Sequence, residues 1–114
     1  MRTPQEAVLL RVFVGEADRT EGGPLFRMIV AEALAAGLAG ATVLHGPVGF
    51  GAGGRMNSDF NVDAPGNPPI VIEIIDTEDR IHGFLPRLDR MIGSGLVTME
   101  KLRMLRCGRN VGGG

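Results

Sequence analysis

Hydrophobic and polar positions along the chain follow two periods in turn. Val8 to Val14 reads V-L-L-R-V-F-V, apolar on both parities except at Arg11. This predicts a strand buried on both faces. The polar stretch 15–23, with Glu16, Asp18 and Glu21, leads to Pro24, expected as the first helical residue. Leu25, Met28, Ile29 and Ala33 then recur at helical spacing, and Gly37 stands where a C-terminal cap belongs. Ala41 to Leu44 begin a second strand that fades at Gly46-Pro47. Pro69 introduces Ile70 to Ile75, the strongest strand signal in the chain. Asp76 or Thr77 can cap the next helix, with Glu78 and Asp79 in its first turn. Ile81, Phe84, Leu85, Leu88, Met91 and Ile92 share one helical face. Pro86 interrupts it, and because an interior proline costs ~3 kcal/mol or more, a kink is expected over 82–86. Gly93-Ser94-Gly95 ends the helix, Leu96 to Cys107 reads as a last strand, and 108–114 forms a Gly-rich tail.

The order is β-α-β, long loop, β-α-β, in one domain spanning residues 1–114. Two right-handed βαβ units in so short a chain predict an α+β, ferredoxin-like βαββαβ sandwich. Its four-stranded antiparallel sheet carries two helices on one face. Two helices cover only one sheet face, yet the strands at Val8 and Ile70 are apolar on both. The second face is therefore expected to pack against other subunits in a closed homo-oligomer.

Composition changes this picture mainly at the loop. Eighteen glycines and seven prolines in 114 residues are well above the usual combined share of about 12 %. Seven of them fall in residues 49–68, which have neither period and only three charged side chains. Loops beyond about 12 to 15 residues in a compact domain usually carry function or remain disordered. A net charge of −1 and 44 % apolar residues argue against a nucleic-acid-coating surface, so no nucleic-acid partner is expected. A single cysteine, Cys107, excludes an internal disulfide and a Cys cluster for metal. With no signal-peptide-like or membrane-spanning run, a cytoplasmic location is expected.

Gly49-Phe-Gly51-Ala-Gly-Gly54 matches the GxGxxG dinucleotide pattern, but Pro65, Pro68 and Pro69 leave no room for the long helix that pattern requires. No Lys-Ser or Lys-Thr completes a Walker A motif. Successive glycine amides can still form an anion nest, with Arg55 adding a fork of donors. Gly93-Ser94-Gly95 offers a second such turn, although a plain helix cap explains it as well. Lys101, Arg103, Arg106 and Arg109 give four positive charges with no acid after Glu100. Brought together between subunits, these segments would make a phosphate-binding cleft. His45 reads as a strand residue, His82 as helix surface and Cys107 as a small apolar residue; no catalytic constellation emerges.

The run Gly40-Ala-Thr-Val-Leu-His-Gly-Pro-Val-Gly-Phe-Gly51 resembles the second strand of the PII signal-transduction proteins, leading into the base of their T-loop. Ile92-Gly-Ser-Gly95 resembles the PII B-loop, and the basic end of the last strand resembles the C-loop. The pattern F-L-P-x-L-D-x-M-I-G-x-G-L-V-T over 84–98 is closer still to a PII-like branch catalogued as a domain of unknown function, whose genes often lie beside those of fluoride exporters. The resemblance covers residues 8–106. It implies a homotrimer with ligand clefts between subunits, adenine nucleotides bound there, and a long loop that engages a partner such as a membrane transport protein. By position, Gly49, Phe50 and Gly51 would form the T-loop side, Gly93, Ser94 and Gly95 would supply amides, and Arg106 and Arg109 would meet phosphate. Arg103 is a further candidate.

Departures narrow the implied ligand. Leu96 stands where the PII B-loop continues with a phosphate-binding lysine, and Ala52-Gly53-Gly54 replace the glutamine after Gly-Phe-Gly. No tyrosine is present for uridylylation. A smaller adenine nucleotide such as AMP or ADP, another small anion or no ligand is therefore expected rather than ATP with 2-oxoglutarate. The alternatives are a CutA-like trimer binding a divalent metal near His45 or Cys107, and a small ferredoxin-like enzyme.

Overall fold

The computed structural model describes residues 3–46, 67–93 and 95–108. Strand β1 (Gln5–Gly15) is followed by a two-residue ladder, β2 (Arg19–Thr20) with β3 (Gly23–Pro24), inside the stretch expected to be a plain polar turn. Helix α1 (Leu25–Ala35) comes next, then β4 (Gly40–His45), β5 (Pro69–Asp76), α2 (Glu78–Met91) and β6 (Leu96–Met104). The main sheet has the order β4-β5-β1-β6 with every neighbouring pair antiparallel, the ferredoxin-like arrangement.

Register assigns the faces. Val8, Leu10, Val12 and Val14 stand opposite Asp76, Ile74, Ile72 and Ile70, and all eight are buried. With Leu25, Ile29 and Ala33 of α1 and Ile81, Phe84 and Leu88 of α2 the seven apolar ones form the core, so both helices lie on this face. Each fully buried Leu, Ile, Val or Phe contributes about 1.5–3 kcal/mol of burial free energy. The other face carries Leu9, Phe13, Val71 and Ile75, which are half-buried, with Arg11 and Glu73 at its centre. Among the described residues no helix covers it.

Local chemistry explains where the elements stop. Pro24 caps α1 rather than opening it. At the other end Gly37 has φ +74°, its amide bonds to the Leu34 carbonyl, and the Leu38 amide reaches back to that of Ala33. This is a Schellman ending, which needs glycine at the left-handed position. Thr77 caps α2 without a side-chain hydrogen bond. Asp76, 4 % exposed, supplies the carboxylate instead. It accepts from the amides of Thr77 (2.6 Å) and Ala39 (2.8 Å) and from Arg80 Nε (3.1 Å). Arg80 Nη2 in turn donates to the Gly37 carbonyl at 2.6 Å, tying the start of α2 to the end of α1. Helix α2 runs on through Pro86. Pro86 and His82 are both on the exposed side, where water can satisfy the His82 carbonyl.

The last strand is shorter than expected. Met104 pairs with Gln5, where β1 begins, so Leu105 to Cys107 have no strand left to join. Cys107 is exposed rather than packed as an apolar residue.

Candidate functional site at the loop-bearing end of the sheet

The antiparallel order brings four chain ends to one end of the sheet. These are the C-terminal ends of β1 and β4 and the N-terminal ends of β5 and β6, as the pairs Gly15 with Pro69, His45 with Ile70 and Phe13 with Leu96 record. Both stems of the segment around the Gly-rich motif emerge here, beside the turn that holds Gly93 and Gly95.

The stems are pinned to the turn after β1. Asn67 accepts a hydrogen bond from the Ala17 amide at 2.8 Å and donates one to Asp18 Oδ1 at 3.2 Å. Asp18 Oδ2 accepts from the Gly15 amide at 2.9 Å, and the Asp18 carbonyl accepts from Leu25, the first residue of α1. The Glu16 amide bonds to the Pro68 carbonyl at 2.8 Å and the Gly46 amide to that of Pro69 at 3.1 Å. Gly15 makes room by contact rather than by φ: a Cβ there would fall 2.1 Å from Asn67 Oδ1 and would have to displace that carboxamide. On the β4 stem, His45 packs edge-on to Phe26 and has Nδ1 3.9 Å from Glu16 Oε1.

Of the residues expected to bind ligand, Gly93 and Gly95 lie at this end. Both are exposed, and a Cβ on Gly93 would meet nothing within 4 Å. Gly49, Phe50, Gly51, Arg55, Ser94 and Arg109 lie outside the described residues. Arg103 and Arg106 are at the opposite end. Arg103 pairs across the ladder with Glu6, with 3.5 Å between Nε and Oε2. At about 3.3 Å per residue, it sits roughly 23 Å along β6 from Leu96. Regular β6 ends at Met104, so strand alternation does not extend to Arg106. One chain therefore separates the basic residues from the glycine turn, and a cleft uniting them needs a second copy.

The open sheet face holds a charge cluster that composition alone does not show. Arg11 donates from Nε to Glu73 at 2.9 Å and from Nη1 to Glu100 at 3.0 Å, bridging β5, β1 and β6. The bonds to Glu73 and then Glu100 hold the guanidinium pKa above its ordinary value. The signal in the sequence was Arg11 itself, the one charge in an apolar strand. Nothing comparable announces Asn67, whose role depends on a contact 49 residues away. His45 and Cys107 lie towards opposite ends of the sheet, so no one site in the chain contains both. Among the described residues no three His, Cys, Asp or Glu side chains gather as a metal site, and no helix is long and apolar enough to cross a membrane.

Residues 7–104 match the DUF190 family, described as uncharacterized ACR, COG1993. A UPF0166 protein of Aquifex aeolicus is 32 % identical over 97 residues, covering 85 % of this chain and 91 % of the relative. A UPF0166 protein of Methanocaldococcus jannaschii is 33 % identical over 96 residues, covering 82 % and 87 %. Among solved structures, a protein of Thermus thermophilus assigned as PII-like signaling superposes with a TM-score of 0.62 at 19 % identity, over 91 % of this chain and 94 % of that one. The nitrogen regulatory PII-like protein CPII of Thiomonas intermedia, bound to ADP, AMP and acetate, superposes with a TM-score of 0.58 at 18 % identity, over 92 % and 94 %. At these identities the likeness is one of fold.

Proposed function

The chain belongs to the DUF190 family and has a PII-like fold, and from this we propose that it is a non-enzymatic regulatory protein that binds a small ligand between copies of itself. The ligand is an adenine nucleotide, AMP or ADP. The observation that carries this reading is the convergence of both long-segment stems and the Gly93–Gly95 turn at one end of the sheet. Glycine amides there suit phosphate, and Leu96 in place of a lysine weighs against a triphosphate. The protein is a trimer acting as a single domain over residues 1–114 in the cytoplasm. Gly49, Phe50, Gly51, Arg55, Gly93, Ser94 and Gly95 approach the ligand from the loop-bearing end, and Arg103, Arg106 or Arg109 of a neighbouring copy supplies positive charge. Residues 49–68 pass the ligand state to a partner such as a membrane transport protein.

Two observations support this beyond the glycines. The fold neighbour CPII is bound to ADP and AMP, and the open sheet face here is apolar at Leu9, Phe13, Val71 and Ile75 around an already paired arginine, as suits a surface covered by other copies. Titration calorimetry with AMP, ADP, ATP and cyclic nucleotides tests the ligand. Heat is expected for AMP or ADP and less for ATP, and none for any of them at high micromolar concentration would overturn the nucleotide reading. Metal analysis of untagged protein is expected to find no stoichiometric ion; finding one would favour a metal-binding trimer.

A further inference from the structure

Read across the strand pairs, the side of the sheet away from the helices carries three charged side chains among the described residues: Arg11 of β1, Glu73 of β5 and Glu100 of β6. Lys101 and Arg103 fall on the other side, opposite Val8 and Glu6, and β4 has no Asp, Glu, Lys or Arg at all. The three charges sit in the middle of an apolar surface. Leu9 and Phe13 flank Arg11 along β1, and Val71 and Ile75 flank Glu73 along β5.

One guanidinium here answers two carboxylates. Arg11 Nε donates to Glu73 at 2.9 Å and Nη1 to Glu100 at 3.0 Å, and both bonds favour the charged guanidinium. The cluster therefore holds one surplus negative charge. In the single chain water answers it, because the Glu73 side chain is 28 % exposed and that of Glu100 59 %. Covering the face removes that water, and a buried charge without a partner is strongly unfavourable. A second copy brings the identical face, hence the same surplus and, from the described residues, no cation to match it.

We infer that covering the open face takes up one proton per copy, onto Glu100, so that assembly strengthens as pH falls. The inference rests on the oligomeric reading above and adds a regulation to it. Glu73 is the more enclosed carboxylate and makes the shorter bond, so it keeps the charge opposite Arg11. Glu100 is the more exposed and loses the most water on covering. The groups that face it are Arg11 and, beyond the guanidinium, Glu73; β4 adds none, and the covering copy adds the same three. The sign follows from linkage. A carboxyl whose pKa is raised by assembly is neutral in both states well below the free value of about 4.3, and ionised in both above the raised one. Assembly weakens as pH climbs through that interval and is constant outside it.

Sedimentation equilibrium of the full chain at pH 5 and pH 8, at constant salt, tests this with Glu100→Gln, the uncharged isostere. Urea below the unfolding midpoint brings dissociation into range. At pH 8 the variant is expected to associate more tightly than wild type, by about tenfold per copy for each unit by which the pKa is raised. At pH 5 the gap is expected to narrow. Glu21→Gln removes a charge between β2 and β3 and is expected to keep the wild-type pH dependence. A role for Glu100 in holding Arg11 alone predicts the reverse, a variant weaker than wild type at both pH values. That result, or a gap that does not change with pH, overturns the proton uptake and leaves the oligomeric reading intact. A wild-type mass of 12.1 kDa at both pH values and every concentration, without urea, overturns both.

Discussion

The two faces of the sheet are built from the same strands and obey different rules. On the helix-covered face, Val8, Leu10, Val12, Ile70, Ile72 and Ile74 are buried under two helices, and the sole buried polar or charged residue among those described is Asp76, satisfied by three donors. On the open face the flanking side chains are half-buried and the centre is a bridged Arg11 with two glutamates. The first face is finished within one chain. The second is apolar enough to be covered and polar enough to stay soluble while it is not.

Substitutions on the two faces should separate accordingly. Phe84→Ala removes a side chain that is 2 % exposed and should cost about 3–5 kcal/mol in urea unfolding. Phe13→Ala, half-buried on the open face, should cost clearly less at low protein concentration, and equal costs would erase the distinction. Asp76→Ala leaves the amides of Ala39 and Thr77 without their acceptor and should cost about 1–3 kcal/mol. Asn67→Ala should cost about 1 kcal/mol and speed hydrogen exchange at the Ala17 amide, whose acceptor it removes; unchanged exchange would show that the backbone bonds from Glu16 to Pro68 and from Gly46 to Pro69 hold the stem without it. Arg11→Met should change the isolated chain's stability by only about 0–1 kcal/mol, as for exposed ion pairs. It sharpens the comparison most. If another copy covers the face, Glu73 and Glu100 are left buried without their cation, and the cost measured at high concentration should rise to about 3–5 kcal/mol.

The sequence made the scaffold readable because its signals are local. Alternation and β-branching marked β1 and β5, spacing marked both helices, and Gly37 marked the end of α1. The end of β6 was not readable, since it depends on Gln5, 99 residues earlier, running out of strand. The β2–β3 ladder is too short to leave a pattern, and Pro24 differs by one position because a residue fixed near φ −60° suits either side of a helix start. At the candidate site, composition pointed to the Gly93–Gly95 turn and the basic end of β6. Their separation to opposite ends of the sheet followed only from topology. Asn67 drew no notice as an ordinary loop residue, because Gly15 and Asp18, which give it meaning, are distant in sequence.

The place of β1 in the sheet has a kinetic consequence. It is made first and sits at the centre, yet its partners lie far along the chain: Val8 waits for Asp76, and Gln5 waits for Met104. The β4–β5 pairing spans much less, from 25 residues at His45 and Ile70 to 35 at Gly40 and Ile75. Because loop closure precedes the reward of long-range pairing, such a sheet folds more slowly than a local one. During synthesis at about 5–20 residues per second, the nascent chain carries Val8 to Val14 unpaired for several seconds. A truncation before Leu96 would keep one side of that central strand open permanently, turning an apolar strand into an aggregation template.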